Sequence, residues 1–542
     1  MPVVPSHSYP GVYIQEVPSG VRTITGVSTS ITAFLGRAAR GPVNDPTTIN
    51  SYADFERSFG GIWSSSALGY AVRDYYMNGG SQAIIVRLYS APAAPALAST
   101  PKSTPSASVP PKINAPLSVN GLPLETKYPG SWGNYLRARV EASSAKDAEN
   151  RFGVNKDALF DLTVFDTQTN TLEVFRNLSL QPGPQLISSV LLNSSSLVRI
   201  PETATLPTAV PTPHAAIPAK GKTIWQDDTT STGVADADRV TDGGDLTVDS
   251  FTGDGFQANK QGLYALEHVD LFNLLVIPPY NNGDVDAGLI GEAAIYCENR
   301  RAFLLVDPPS SWTNKKAAID GINSDAGVGT FSKNAALFFP RFKRANLFDD
   351  FVPSGAVAGI IARTDTQRGV WKAPAGLDAT ITGVSQLSVR LTNDENGELN
   401  PLGVNCLRTM SAVGSVVWGA RTLQGDDRLG SEWKYIPVRR LALYIEESLY
   451  RGTQWAVFEP NDEPLWAQLR LNIGTFMHDL FRQGAFQGQK STDAYFVQCD
   501  STTTTQSDID QGIVNVSVGF APLKPAEFVI LYLQQIAGQL AV

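Results

Sequence analysis

Leu271-Phe-Asn-Leu-Leu-Val-Ile277 is an apolar run continuous enough to be a strand buried on both faces, which is the mark of a parallel sheet covered by helices. A helical pattern follows near Asp286 to Arg300, then a second apolar run, Phe303-Leu-Leu-Val306, so the stretch reads as a βαβ unit. A further strand, Ala335-Ala-Leu-Phe-Phe339, precedes a helix opening at Pro353-Ser354 and running through Val357, Ile360 and Ile361. The α/β pattern therefore continues, with helices on the faces of the sheet.

Upstream, Ser30-Ile-Thr-Ala-Phe-Leu-Gly36 reads as another buried strand. From Ser64 to Asn78 the residues Leu68, Ala71, Val72, Tyr75 and Tyr76 fall at helical spacing, and Gly79-Gly80 stops the helix before the strand Ala83–Leu88. At the start, Tyr9-Pro-Gly-Val-Tyr-Ile-Gln-Glu-Val17 is a short strand tethered through Pro18-Ser-Gly20.

A Pro/Ala/Ser tract from Ala91 to about Pro116 cannot bury apolar surface and marks a boundary. Short strand-like segments such as Phe160–Phe165 follow, broken by a Pro/Thr-rich tract from Pro201 to Pro218, so an inserted, mainly β domain is expected. Downstream, Pro437 opens a helix carrying Leu441, Ile445 and Leu449 on one face, and Pro464 opens another carrying Leu465, Leu469, Ile473, Phe476 and Leu480. Two extended runs close the chain, Ile513–Phe520 and Phe528–Leu533, and the second is apolar on both faces, so it needs cover on both sides.

The 542 residues suffice for several domains, and 42% hydrophobic with 18% charged residues is the balance of a folded globular chain. A net charge of -9 with no Lys/Arg cluster argues against nucleic acid as a partner. Cys297, Cys406 and Cys499 are far apart and in no C-x-x-C pair, which fits a reducing cytoplasm. The opening MPVVPSHSYPGVY has no basic stretch followed by an apolar one, and no run approaches the roughly 18 apolar residues of a membrane span. Synthesis in the bacterial cytoplasm without membrane insertion is expected.

No motif points to chemistry, and neither a catalytic residue, a metal nor a cofactor is expected. Ala216-Ile-Pro-Ala-Lys-Gly-Lys-Thr223 loosely matches a P-loop, but it follows no strand and Pro218 interrupts it. The βαβ unit is followed by Pro-Pro-Tyr-Asn-Asn-Gly-Asp and not by a phosphate-binding glycine loop. His7, His214, His268 and His478 lack metal spacing, and the Asp236–Asp254 acidic clusters lack the calcium-loop pattern, so turns explain them better.

Six pieces, YPGVYIQEVPSG, GVSTSITAFLGRAARGPVNDP, SYADFERSFGG, VWGARTL, FEPNDEPLW and APLKPAEFVILY, occur in this order and resemble the contractile tail sheath family. The resemblance covers residues 1 to about 90 and about 260 to 542. It implies an α/β (α+β) multidomain subunit whose core is built from N- and C-terminal parts, with an inserted mainly β outer domain and extended terminal strand arms. The expected division is 1–20 linking arm, 21–92 first part of the core, 93–116 linker, 117–262 outer domain, 263–430 α/β core, and 431–542 C-terminal core domain with its arm.

The implied partners are the chain itself, in stacked hexameric rings or a helical polymer, an inner tube protein, and baseplate and terminal cap proteins. Both terminal pieces share one chain, which favours a phage, pyocin-like or extracellular injection particle over a type VI sheath. Strands tethered away from a body, and an apolar terminal strand, can complete a neighbour's sheet edge. Val12, Tyr13, Ile14 and Gln15, Val514, Val516 and Val518, and Phe528, Ile530 and Tyr532 are the expected inter-subunit strand residues. Pro18, Gly20 and Gly26 would supply a hinge, and Arg470 and Arg482 lie where the family faces its tube. The rival readings, another self-assembling shell protein or an α/β enzyme with a β insertion, leave the ordered motif set unexplained.

Overall fold

The computed structural model describes residues 22–92, 112–143, 154–280, 283–324, 327–343 and 351–532. The chain divides into two compact units, one of residues 29–368 and 372–439, the other of residues 1–28, 369–371 and 440–542.

The larger unit begins with β1 (Thr32–Gly36), β2 (Thr47–Ile49) and β3 (Ala83–Arg87). An insertion supplies β4 (Pro116–Val119), β5 (Leu122–Thr126), β6 (Leu136–Ala142), β7 (Leu159–Asp166), β8 (Thr171–Ser179), β9 (Val198–Arg199) and β10 (Thr232–Gly233). The sheet then resumes with β11 (Leu274–Val276), β12 (Phe303–Val306) and β13 (Ala335–Phe339). After the short antiparallel pair β14 (Phe342–Lys343) and β15 (Gln386–Leu387) come β16 (Val404–Met410) and β17 (Gly414–Val417).

Eight of these form one sheet in the order β17-β16-β13-β12-β11-β1-β3-β2, parallel throughout except for its two edge strands. β1 sits beside β11 although more than two hundred residues separate them, with Phe34 opposite both Val276 and Ile85. Every residue of β1, β3, β11, β12 and β13 is buried, as strands covered on both faces must be. Alternation sends Phe34 to one face, where its ring meets Tyr75 at 5.5 Å on α2 (Leu68–Met77; α1 is Tyr52–Phe59). Ala33, Leu35 and Leu275 share a cluster on the other face with Leu289 and Ala293 of α3 (Ala287–Asn299). α4 (Lys315–Ile322) joins that cluster, while α5 (Ser354–Arg368) lies close along α2. Gly355 and Gly359 permit that approach, since a Cβ would lie 2.3 Å from the carbonyl of Ala71 and 2.4 Å from that of Tyr75.

The insertion is built of two antiparallel sheets, β10-β6-β7-β8 and β4-β5-β9, around Leu117, Leu124, Val140, Leu162 and Val198. Arg87, at the end of β3, donates to the carbonyls of Ala38 (2.9 Å), Gly41 (2.6 Å) and Pro129 (2.8 Å) and so fastens the insertion's first loop to the sheet. Burial draws its guanidinium pKa down to about 10.

The smaller unit holds most of α6 (Ile436–Gly452), all of α7 (Glu463–Arg482), and the two-stranded sheet of β18 (Tyr495–Gln498) and β19 (Ser517–Phe520). Residues 22–28, expected as part of the first core segment, belong here because Ile24 is buried with Leu441, Ile445 and Ile473. Among the described residues no helix is long and apolar enough to cross a membrane.

Candidate interface for self-assembly

α7 starts where Asp462 accepts the Glu463 N–H at 2.7 Å and Pro464 fills the first turn. Its buried stripe carries Leu465, Leu469, Ile473, Phe476 and Leu480. β18 and β19 lie antiparallel beside it, with Val497 opposite Val518 and Tyr495 opposite Phe520. Val514 and Val516 pack against Leu465, Trp466 and Leu469, and Val518 packs in the cluster of Ile473 and Phe476. Val514, Val516 and Val518, expected as inter-subunit strand residues, thus turn side chains onto a helix of their own chain. The ladder has only two strands, so each has one edge without a strand partner among the described residues.

Past β19 the chain is held briefly, by Ala521 donating to Ala494 O at 2.8 Å and by Gln487 donating to Ala521 O at 2.9 Å. Then Phe528, Val529, Ile530, Leu531 and Tyr532 are 71–89% exposed and pair with no strand among the described residues. Five successive apolar residues in water cost free energy that burial would recover, roughly 1.5–3 kcal/mol per large side chain.

Val12, Tyr13, Ile14, Gln15, Pro18 and Gly20 lie outside the described residues. Gly26 is locked against α6, because a Cβ there would stand 1.9 Å from Tyr444 Oη. Its neighbours are tied equally closely: Arg22 N–H donates to Asn472 Oδ1 at 3.1 Å, Val27 N–H to Ser448 Oγ at 3.2 Å, and the Arg22 guanidinium lies 4.4 Å from the Trp455 ring. Close contact explains this glycine, and the structure locates no bend there.

The two arginines part company. Arg470 pairs with Glu463 at 2.5 Å and donates to the carbonyl of Cys499, so its charge is used within the chain. Arg482 is exposed at the C-terminal end of α7, on the same outer stripe as Gln468, Leu471, Thr475 and Asp479. In the insertion, the P-loop-like stretch turns at Gly221 and follows no strand, and the Ala219 N–H points to Asp227 Oδ2 at 2.6 Å. A carboxylate occupies a donor that a phosphate would need.

Periodicity passed over one residue. Phe458, between α6 and α7, is 102% exposed and adopts a φ of 67°. Nothing in a hydropathy pattern distinguishes a loop phenylalanine that is buried from one that is not.

Residues 259–423 match the family profile of the phage tail sheath central domain, and residues 430–536 match that of the phage tail sheath C-terminal domain, together half of the chain. The tail sheath protein of Vibrio phage KVP40 is 26% identical over 228 residues, 42% of this chain and 32% of that protein. The tail sheath protein of Enterobacteria phage T4 is 24% identical over 196 residues, 35% of this chain and 28% of that protein. The matched stretches thus span about a third of those relatives. In fold the chain is similar to the contracted helical sheath of the anti-feeding prophage, with a TM-score of 0.56 and 23% identity over 97% of this chain and 99% of that one.

Proposed function

Because this chain belongs to the phage tail sheath family, we propose that it is the structural subunit of a contractile sheath, which polymerises around an inner tube and shortens to drive that tube through a target envelope. The role is structural and not catalytic. The observation that supports this reading is the exposed run Phe528–Tyr532, which follows a two-stranded sheet and pairs with no strand among the described residues. An extended apolar run left uncovered by the described residues can be satisfied by the edge of a neighbour's sheet. A donated run and the edge that receives it are different surfaces, so such a contact is head-to-tail, and repetition without ring closure produces a helix.

In this reading the Val12–Gln15 strand adds to a second neighbour, and the tether through Pro18 and Gly20 bends while the body anchored from Arg22 onward stays intact. The bodies repack between an extended and a lower-energy contracted arrangement, with the tethers keeping subunits linked. Arg482, whose charge is presented to solvent, is the better of the two arginines for a tube contact. Residues 93–116 form the linker and 117–262 an outer domain. Baseplate and cap proteins would terminate the polymer, in a phage tail or an extracellular injection particle.

Negative-stain electron microscopy of the purified chain tests this. Hollow tubes of one diameter with a helical surface are expected. Closed particles, or a monomer that saturates with a small ligand, would sink the proposal.

A further inference from the structure

The loop between α6 and α7 holds an aromatic side chain in water under two separate penalties. Phe458 lies in the left-handed region, which costs a bulky residue free energy that glycine or asparagine would avoid. Its ring is fully solvated, and Val457 beside it is 63% exposed. The loop is hydrogen-bonded on both sides of Phe458. Ala456 N–H donates to Thr453 O at 2.9 Å, Glu459 N–H to Ala456 O at 3.2 Å, and Asp462 N–H to Pro460 O at 3.1 Å. Asn461 braces it from below: Oδ1 accepts the Trp466 indole N–H at 2.9 Å, and Nδ2 donates to Ile513 O at 3.0 Å. A loop braced on both sides and presenting a solvated aromatic ring has the form of an interface anchor, since the bracing lowers the ordering entropy lost on docking.

The same bonds say where the partner stands. Trp455 and Ala456 pack in one cluster with Ile509, Val514 and Val516, and Ile513 lies four residues before β19, about 13 Å of extended chain. The loop and the root of the sheet edge are therefore one continuous surface. A chain that adds a strand to that edge brings its body alongside Phe458.

We infer that Val457–Phe458 is a preformed apolar anchor that buries against a second copy of this chain. This deepens the sheath reading and rests on it. The positive φ is tolerated because the projecting ring is needed in the polymer, and its cost in the free subunit is offset on assembly.

The test uses the full chain purified as wild type, Phe458→Asn and Phe458→Gly, each measured for thermal unfolding as a dilute subunit and for the concentration at which tubes sediment. Both replacements suit a left-handed backbone, so the melting temperature should stay level or rise slightly, while the assembly threshold should rise at least tenfold. Variants that assemble at the wild-type threshold would overturn the anchor. So would a fall of several degrees in melting temperature, which would mean that the ring supports its own subunit. Normal tubes that fail only to retain added tube protein would also overturn it, reassigning the residue to the tube. A wild-type chain that never forms tubes sinks the sheath reading itself, whereas wild-type tubes with unaffected variants sink the anchor alone.

Discussion

Ala335–Phe339 and Phe528–Leu533 are both short apolar runs that read as strands, yet the first is wholly buried in β13 and the described residues of the second, Phe528–Tyr532, are 71–89% exposed. β13 lies between β12 and β16, with Leu337 opposite both Val306 and Val404, and Phe339 is covered through Trp312. The terminal run has neither neighbouring strand nor covering helix among the described residues. Equal demand for burial is met inside the subunit in one case and is unmet among the described residues in the other. On the proposed function, fold and assembly would be separable because they draw on different copies of the same signal.

The largest expected effect tests that separation. Removing residues 528–542 should abolish tubes while the body's melting temperature stays unchanged, read by sedimentation and circular dichroism. A large loss of thermal stability would mean that the run is covered within its own subunit. Deleting residues 1–20 should likewise leave a soluble, folded body that no longer polymerises, and intact tubes would remove the arm from the mechanism. The opposite outcome is expected inside the sheet: Phe338→Ala should cost about 3–5 kcal/mol, seen as a lower urea midpoint, because Phe338 is fully buried.

Between these extremes stands Gly26→Ala, which sets a methyl group against Tyr444 Oη and should cost about 1–3 kcal/mol by overpacking. Tyr444→Phe removes that oxygen, so the double variant should recover part of the loss, and strict additivity would contradict the contact. The smallest effects concern α7. Arg470→Ala should lower stability by at most about 1 kcal/mol, as expected for a largely solvated ion pair with Glu463. Arg482→Glu should leave stability alone and weaken retention of the tube in co-sedimentation.

Much of the fold was legible because burial leaves a local trace. Phe303–Val306 and Ala335–Phe339 form strands over the residues their apolar continuity predicts, and helices begin at Ser354 and near Pro437 and Pro464 as the start signals indicate. The strand at Leu271–Ile277 is shorter, Leu274–Val276, because apolarity reports burial and not ladder pairing. Less of the interface was legible. Val514, Val516 and Val518 carry the same alternation whether they cover α7 or a neighbour, and Gly26 looks like a hinge until Tyr444 is beside it.

By itself, then, the sequence determined the class of the patterned segments that build the main sheet and its helices, the interruption of the sheet by an insertion, and the presence of a terminal apolar run demanding cover. Those follow from periodicity and composition, which act over a few residues. Only the tertiary structure decided that β1 pairs with β11 across the insertion, that residues 22–28 join the C-terminal helices, and that Phe458 stands in water. Each of these depends on which distant surface arrives to exclude solvent, a property of the folded chain that no local pattern encodes.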